Sequence, residues 1–239
     1  MPGAQYIALS ALRTRMQQLD QLADDLSNVH TSGYRGGRTI QQAVTREEFD
    51  GALRSAVDTM NAGTRLDMSK GTIEPTGRDL DVAIEGDGFF VVETAKGKEY
   101  TRNGHFGRSL DGTLVTSDGA VVQGTDGAIT LGRGDARIDK EGLVWSGTVN
   151  VGRLLVVSVP DPASMQRGEG ARLTAEGQEP TQLDDAVFRP SSLEASNVAM
   201  SEGLARLTTV SRNFEALQRA ISTLLNDVDG RFIDQMARR

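Results

Sequence analysis

Cysteine is absent from the 239-residue chain. That excludes structural disulfides, thiolate nucleophiles and any cysteine-ligated metal site. Histidine is nearly absent: His30 and His105 stand far apart, each in a turn, whereas a metal site needs three or four ligands within reach. No apolar run approaches the length of a membrane span. No basic-then-apolar leader opens the chain either, since Arg13 and Arg15 follow a weakly apolar start broken by Gln5 and Ser10. The expectation is a protein with no membrane span and no cleaved signal peptide. A basic excess is also missing. The net charge of −7 argues against non-specific nucleic-acid binding, which wants a cationic footprint. The glycine-rich turns lack the Lys-Ser/Thr ending of a phosphate loop, and Asp139-Lys140-Glu141-Gly142 lacks the alternating acidic ligands of a calcium loop. No catalytic residue, cofactor, metal or small-molecule substrate is expected.

Aromatic residues make up only 5% of the chain, and glycines number 27. Together these point to many tight turns around a modest core. The clearest pattern lies at the C-terminal end. Steps of seven from Met200 reach Leu207, Phe214, Ile221 and Val228, and three residues after the first four stand Gly203, Val210, Leu217 and Leu224. This is an a/d heptad, the signature of a helix that offers one narrow apolar seam to a partner helix. A lone helix of this kind is incomplete, because each exposed Leu, Ile or Phe forfeits about 1.5–3 kcal/mol relative to burial. A partner is available at the other end of the chain. There Leu9, Leu12, Met16, Leu19, Ala23 and Leu26 alternate at steps of three and four. The two seams are expected to pair with each other and to leave some surface for other copies. The plainer alternative is an antiparallel helical pair that closes a globular core.

Taken in order, residues 1–30 read as the N-terminal helix of a stalk, stopped near Gly33, where a positive φ ends helices. Residues 31–75 read as a mobile or partner-dependent connector, with a possible helical piece between Ile40 and Met60. Residues 76–190 read as an all-β domain. In it Leu80, Val82 and Ile84 alternate with Asp81, Ala83 and Glu85 as in a half-buried strand, and Gly86-Asp87-Gly88 turns the chain into the apolar run Phe89–Val92. Asp111-Gly112 and Asp118-Gly119 are hairpin signals. Residues 191–239 read as the C-terminal helix of the stalk, with Ser191, Ser192 or Ser196 as its cap and Glu194 or Glu202 in support. The fold class expected is α+β: paired terminal helices forming a coiled-coil stalk, with an inserted all-β domain and a mobile connector.

Three stretches resemble one family. Leu26-Ser27-Asn28-Val29-His30-Thr31-Ser32-Gly33-Tyr34-Arg35 is similar to the N-terminal signature of bacterial flagellar rod and hook proteins. Asp81 to Val92, followed by Tyr100-Thr101-Arg102-Asn103-Gly104 and Asp111-Gly112-Thr113-Leu114-Val115, resembles their central motif. Leu193-Glu194-Ala195-Ser196-Asn197-Val198 resembles the lead into their C-terminal helix. Among rod subunits, this β domain belongs to the proximal and distal types. Arg212-Asn213-Phe214-Glu215, with phenylalanine where tyrosine is the other choice, leans towards the proximal type, as does the Gln5-Tyr6-Ile7 opening. Departures from the pattern are Asp24-Asp25, Ala199, and Gly203 on the helix seam, the last at about 1 kcal/mol against alanine.

The resemblance implies a structural subunit of the periplasmic flagellar basal-body rod, which passes through the flagellar export apparatus without a cleaved signal. Its partners would be copies of itself and other rod subunits. It would polymerise helically, transmit torque and line the export channel, since heterologous contacts that do not close generate filaments. Leu9, Leu12, Met16, Leu19, Leu26, Leu207, Val210, Phe214, Leu217, Ile221 and Leu224 would carry the intramolecular pairing. Arg13, Arg212 and Arg219 would carry contacts between subunits. Asn28 and Asn197 have either a subunit-contact or register role, or the simpler one of fixing the chain where a helix ends. Gly33, Gly86 and Gly88 read as turn glycines. The competing class is a cell-wall sugar-binding or hydrolytic module with paired carboxylates in a cleft of the β domain.

Overall fold

The computed structural model describes residues 2–39 and 64–237, with side chains from 12 to 38 and from 65 to 223. The helical piece expected between Ile40 and Met60 therefore lies outside the described residues. The chain forms two compact units: one holds the terminal helices, the other residues 27–38 and 65–199. The fold is α+β, with N- and C-terminal helices in contact and a multi-sheet β region inserted between them in sequence.

In the helical unit, α1 covers Pro2–Ser27 and α2 covers Met200–Ala237. Pro2 sits at the first position of α1, where its missing N–H is no loss. The start of α2 differs from the sequence expectation. Ser192–Glu194 is a β-strand paired antiparallel with Ile73–Pro75, and Ser191 has a positive φ of 50°. The helix therefore waits until Met200. None of the three serines caps it in the expected way: Ser192 is buried in that strand and Ser196 Oγ accepts from Val198 N at 3.2 Å. Of the two supporting acids only Glu202 lies in the first helical turn, where it pairs with Arg206 at 2.6 Å.

The β unit is built on antiparallel pairs. Its largest sheet runs in the order 166–167, 172–174, 97–101, 89–94, 121–124, 114–116, 106–108. A three-stranded meander follows (136–138, 143–146, 149–153), and Val187–Pro190 returns to pair with Val82–Glu85. The turns signalled by Asp111-Gly112 and Asp118-Gly119 are present, with both glycines at φ 85°. Phe90, Val92, Phe106, Leu114, Val122, Val144, Val156 and Phe188 form the main core. Phe90 meets Phe106 edge-on at 5.2 Å and stacks on Phe188 at 6.3 Å. Phe89 faces a second cluster with Leu66, Val159, Met165 and Leu173. A core on each side explains why Phe89–Val92 is apolar at every position instead of alternating.

The alternation read at 80–85 needs correcting. Val82, Ala83 and Ile84 are all buried, and so is Asp81 at 1% exposure. Asp81 is tolerated there because Arg78 at 3.0 Å and His105 at 2.9 Å pair with its carboxylate.

Candidate functional site at the helix roots

Within the helical unit the seams face each other only in part. Leu12, Leu19 and Leu26 on α1 are half-buried, as are Leu207, Val210, Phe214, Leu217 and Ile221 on α2. Met16 is 56% exposed. The side chains of Leu9 and Leu224 lie outside the described residues. Contact is tight at one point: a Cβ added to Gly203 would stand 2.9 Å from Leu26 Cδ2. The glycine on the seam thus has a packing reason, since it lets Leu26 approach the α2 backbone. Arg13, Arg212 and Arg219 are all exposed on their helices.

Inside the β unit, the segments that leave α1 and lead to α2 are fastened to one carboxylate. Glu194 is 2% exposed. Its Oε1 accepts from Arg35 Nη2 at 2.6 Å and from the Gly71 amide at 3.0 Å. Its Oε2 accepts from Arg102 Nη1 at 3.4 Å, and its main-chain oxygen accepts from Gly33 N at 2.7 Å. Three separate stretches of chain converge on this residue. Arg102 also donates to the Gly86 carbonyl at 2.7 Å and lies over the Phe89 ring. Arg167 Nη1 donates to the Tyr34 hydroxyl, and its Nη2 donates to Arg35 O at 2.7 Å.

Asn197 completes the fastening. Its side-chain oxygen accepts from Gly36 N at 2.7 Å, and its amide nitrogen donates to Asp67 O at 2.8 Å and Ser69 O at 3.1 Å. Its own N–H reaches Tyr34 O at 3.3 Å. Both ends of its side chain are engaged within the chain. Asn28 is more local, with Oδ1 accepting from Thr31 Oγ1 at 3.1 Å and the main-chain oxygen accepting from Thr31 N at 3.0 Å, so that side chain and backbone close the same turn.

Gly33 has two independent reasons to be glycine. Its φ is +69°, and an added Cβ would lie 2.3 Å from both Arg102 C and Asn103 N. The root of α1 is therefore laid directly on the main chain of the central motif. Gly86 and Gly88 each have a φ of 116° and stand where the turn glycines were expected.

Electrostatically the cluster carries two buried guanidiniums against one buried carboxylate. Burial pushes the Arg102 pKa down; Glu194 works against that shift, while Arg35 adds to it. Arg35 Nε and Arg102 Nε are buried without a hydrogen-bond partner among the described residues. A carboxylate so placed offsets a desolvation cost of several kcal/mol per ion. Sequence reading missed Arg35 and Arg102 as site residues and took Glu194 for a helix-cap helper. The available signal was that Arg35, Arg102 and Glu194 each lie within a different one of the three family motifs.

Nothing here resembles a catalytic cleft. A shallow notch beside Tyr34, Arg35, Arg167 and Arg172 has room for no more than a water molecule. The three donor groups of Arg172 are engaged by Glu99, Asp118 and Glu169. Among the described residues no cluster of His, Asp and Glu could hold a metal, and no helix is long and apolar enough to cross a membrane.

A closed β unit joined in sequence to two helices with half-covered seams is the architecture of a structural assembly protein. Comparison with known proteins gives the particular kind. Residues 83–149 match the flagellar hook protein FlgE/F/G D1 domain, and residues 189–224 match the flagellar basal body rod FlgEFG protein C-terminal region. The flagellar basal-body rod protein FlgF of Caulobacter vibrioides is 31% identical over 92% of this chain and 92% of its own length. FlgF of Salmonella typhimurium is 33% identical over 97% of each, and the rod protein FlgG of Bacillus subtilis is 26% identical over 91% of this chain and 93% of its own length. The chain belongs to the flagellar basal-body rod protein family, whose members are structural subunits and not enzymes.

Proposed function

We propose that this subunit occupies the proximal part of the rod and polymerises helically through its terminal helices. Its partners are copies of itself and other rod subunits, and the flagellar export apparatus delivers it. The assembled helices line the export channel, and the stack transmits torque. The observation that carries this reading is the state of the seams. The described a/d side chains are apolar, regularly spaced and only half-covered within one chain. Copies stacked side by side would remove the remaining apolar surface from water, at about 25 cal/mol per Å². Heterologous contacts of this kind extend into a filament if the rotation between copies does not close.

The proximal assignment is supported by the FlgF-named relatives, which share 31% and 33% identity where the FlgG relative shares 26%. Phe214 supports it as well. Arg13, Arg212 and Arg219 are the contacts proposed between copies, and Asn197, held inside its own chain, is assigned a register role. The cell-wall hydrolase reading has no observation in its favour.

Because the chain has no cysteine of its own, one introduced thiol reports one position. Met16→Cys, at an exposed seam site, is expected to cross-link between subunits in assembled basal bodies and to stay monomeric in dilute purified protein. Rods that assemble while Met16→Cys and matching seam cysteines on α2 never couple would sink the proposal.

A further inference from the structure

Glu194 stands in an unusual place in the order of the chain. The groups it satisfies lie far upstream: Arg35 is 159 residues away, Gly71 is 123 and Arg102 is 92. The neighbouring residues close the unit in the same way. Phe188 inserts into the main core, Val187–Pro190 pairs with Val82–Glu85, and Ser192–Glu194 pairs with Ile73–Pro75. Asn197 then ties Gly36, Asp67 and Ser69. By contrast, the hairpins 89–94 with 97–101, 106–108 with 114–116 and 114–116 with 121–124 are joined by short turns and pair near neighbours. Local pairings form before distant ones, because loop closure has to be met before a distant contact contributes. A second constraint acts in the same direction. Two guanidiniums cannot be taken out of water until their carboxylate is in place, and Arg35 and Arg102 both pair with this one.

We propose that Glu194 is the closing latch of the β unit. The segment 187–197 docks after the folding transition state, and only then are Arg35 and Arg102 buried and the roots of α1 and α2 fastened to each other. A chain whose C-terminal segment has not yet arrived keeps its helix roots unlocked. It therefore cannot present both seams in register until it is complete. In its consequence this deepens the assembly reading above, on which it rests; the folding order itself stands on the contacts just given.

The test is refolding and unfolding of the full chain across denaturant, followed by Trp145, the single tryptophan, which lies in the β unit. Glu194→Gln is expected to raise the unfolding rate at least tenfold while the refolding rate stays within twofold of the parent, as for a contact formed late. Phe106→Leu, in the local hairpin of 106–108 with 114–116, is expected to slow refolding. Refolding of Glu194→Gln that slows in proportion to the lost stability would place the latch in the transition state and overturn the proposal, as would unchanged stability. Should Glu194→Gln fail to fold, Asn197→Ala on the same docking segment is judged by the same criterion. The Met16→Cys cross-link reads assembly separately, so either idea can fail while the other stands.

Discussion

The two units differ in how much of their apolar surface is finished within one chain. In the β unit Val82, Phe90, Leu114 and Val122 have no exposure at all. In the helical unit the best-placed apolar residues, from Leu12 to Ile221, stay partly exposed, and Met16, Met200 and Leu204 are 56%, 45% and 51% exposed. Both regions use the same chemistry. The β unit satisfies it internally, with two cores, strand ladders and a buried ionic fastening. The helices leave part of it open, which in a rod subunit is the part that other copies complete. Stability and assembly should therefore separate by mutation.

The largest expected effect tests that separation. Leu114→Ala removes a fully buried side chain and should cost the β unit about 2–5 kcal/mol, read as a fall in urea midpoint by Trp145 fluorescence. Phe214→Ala removes a half-buried one and should cost the isolated chain only about 1 kcal/mol, read by helical circular dichroism. Rod formation should respond in the opposite order: Phe214→Ala abolishes incorporation into basal bodies, whereas any Leu114→Ala chain that folds is incorporated. If Phe214→Ala unfolded the monomer as severely as Leu114→Ala, the seams would be a finished core and the contrast would be lost.

A smaller effect sharpens the account of the fastening. Gly33→Ala places a methyl group where the φ is +69° and the main chain of Arg102 and Asn103 lies 2.3 Å away. Strain at such positions is of order 1–3 kcal/mol, and here the neighbouring atoms are backbone and cannot turn aside. Gly77→Ala has a similar φ of +76° but nothing within 4 Å of the added carbon, so it should cost less. Equal losses in thermal midpoint would mean that close packing of the α1 root on the central motif contributes nothing.

What was legible in the sequence follows from the range of each signal. The seams and the Asp-Gly turns declare themselves within a few residues, through a period of 3.5 or a turn that needs a positive φ. The apolar run Phe89–Val92 was readable as a buried strand for the same reason. The fastening was not, because Arg35 and Glu194 meet across 159 residues and a lone charge in a motif reads as a solvated one. Alternation places Asp81 on a wet face, since nothing local reveals that Arg78 and His105 pair with it. The serines before α2 matched a cap pattern, yet strand pairing with Ile73–Pro75 prevailed over local propensity. Gly203 looked like a departure until Leu26 was found against it.

The smallest effect concerns a loop of the β unit. Asp139 is partly withdrawn from water, which by itself would raise its pKa. The Trp145 indole N–H at 2.8 Å and the amides of Leu143 at 2.9 Å and Glu141 at 3.0 Å outweigh that, so its carboxyl titrates below the ordinary aspartate value. A carboxyl whose folded pKa is depressed binds its proton less readily folded than unfolded. Its contribution is complete above the unfolded value of about 3.9 and is lost as pH falls through the folded one. Asp139→Asn should therefore lower the urea midpoint at pH 7, because an amide cannot serve all three donors as well. The gap between variant and parent should narrow as the pH drops below about 4, where the parent has lost the same charge. The readout is the pair of midpoints at neutral and acid pH by far-ultraviolet circular dichroism. A constant gap would show that the loop is held by shape alone, and the internal satisfaction that distinguishes the β unit would then stop short of its turns.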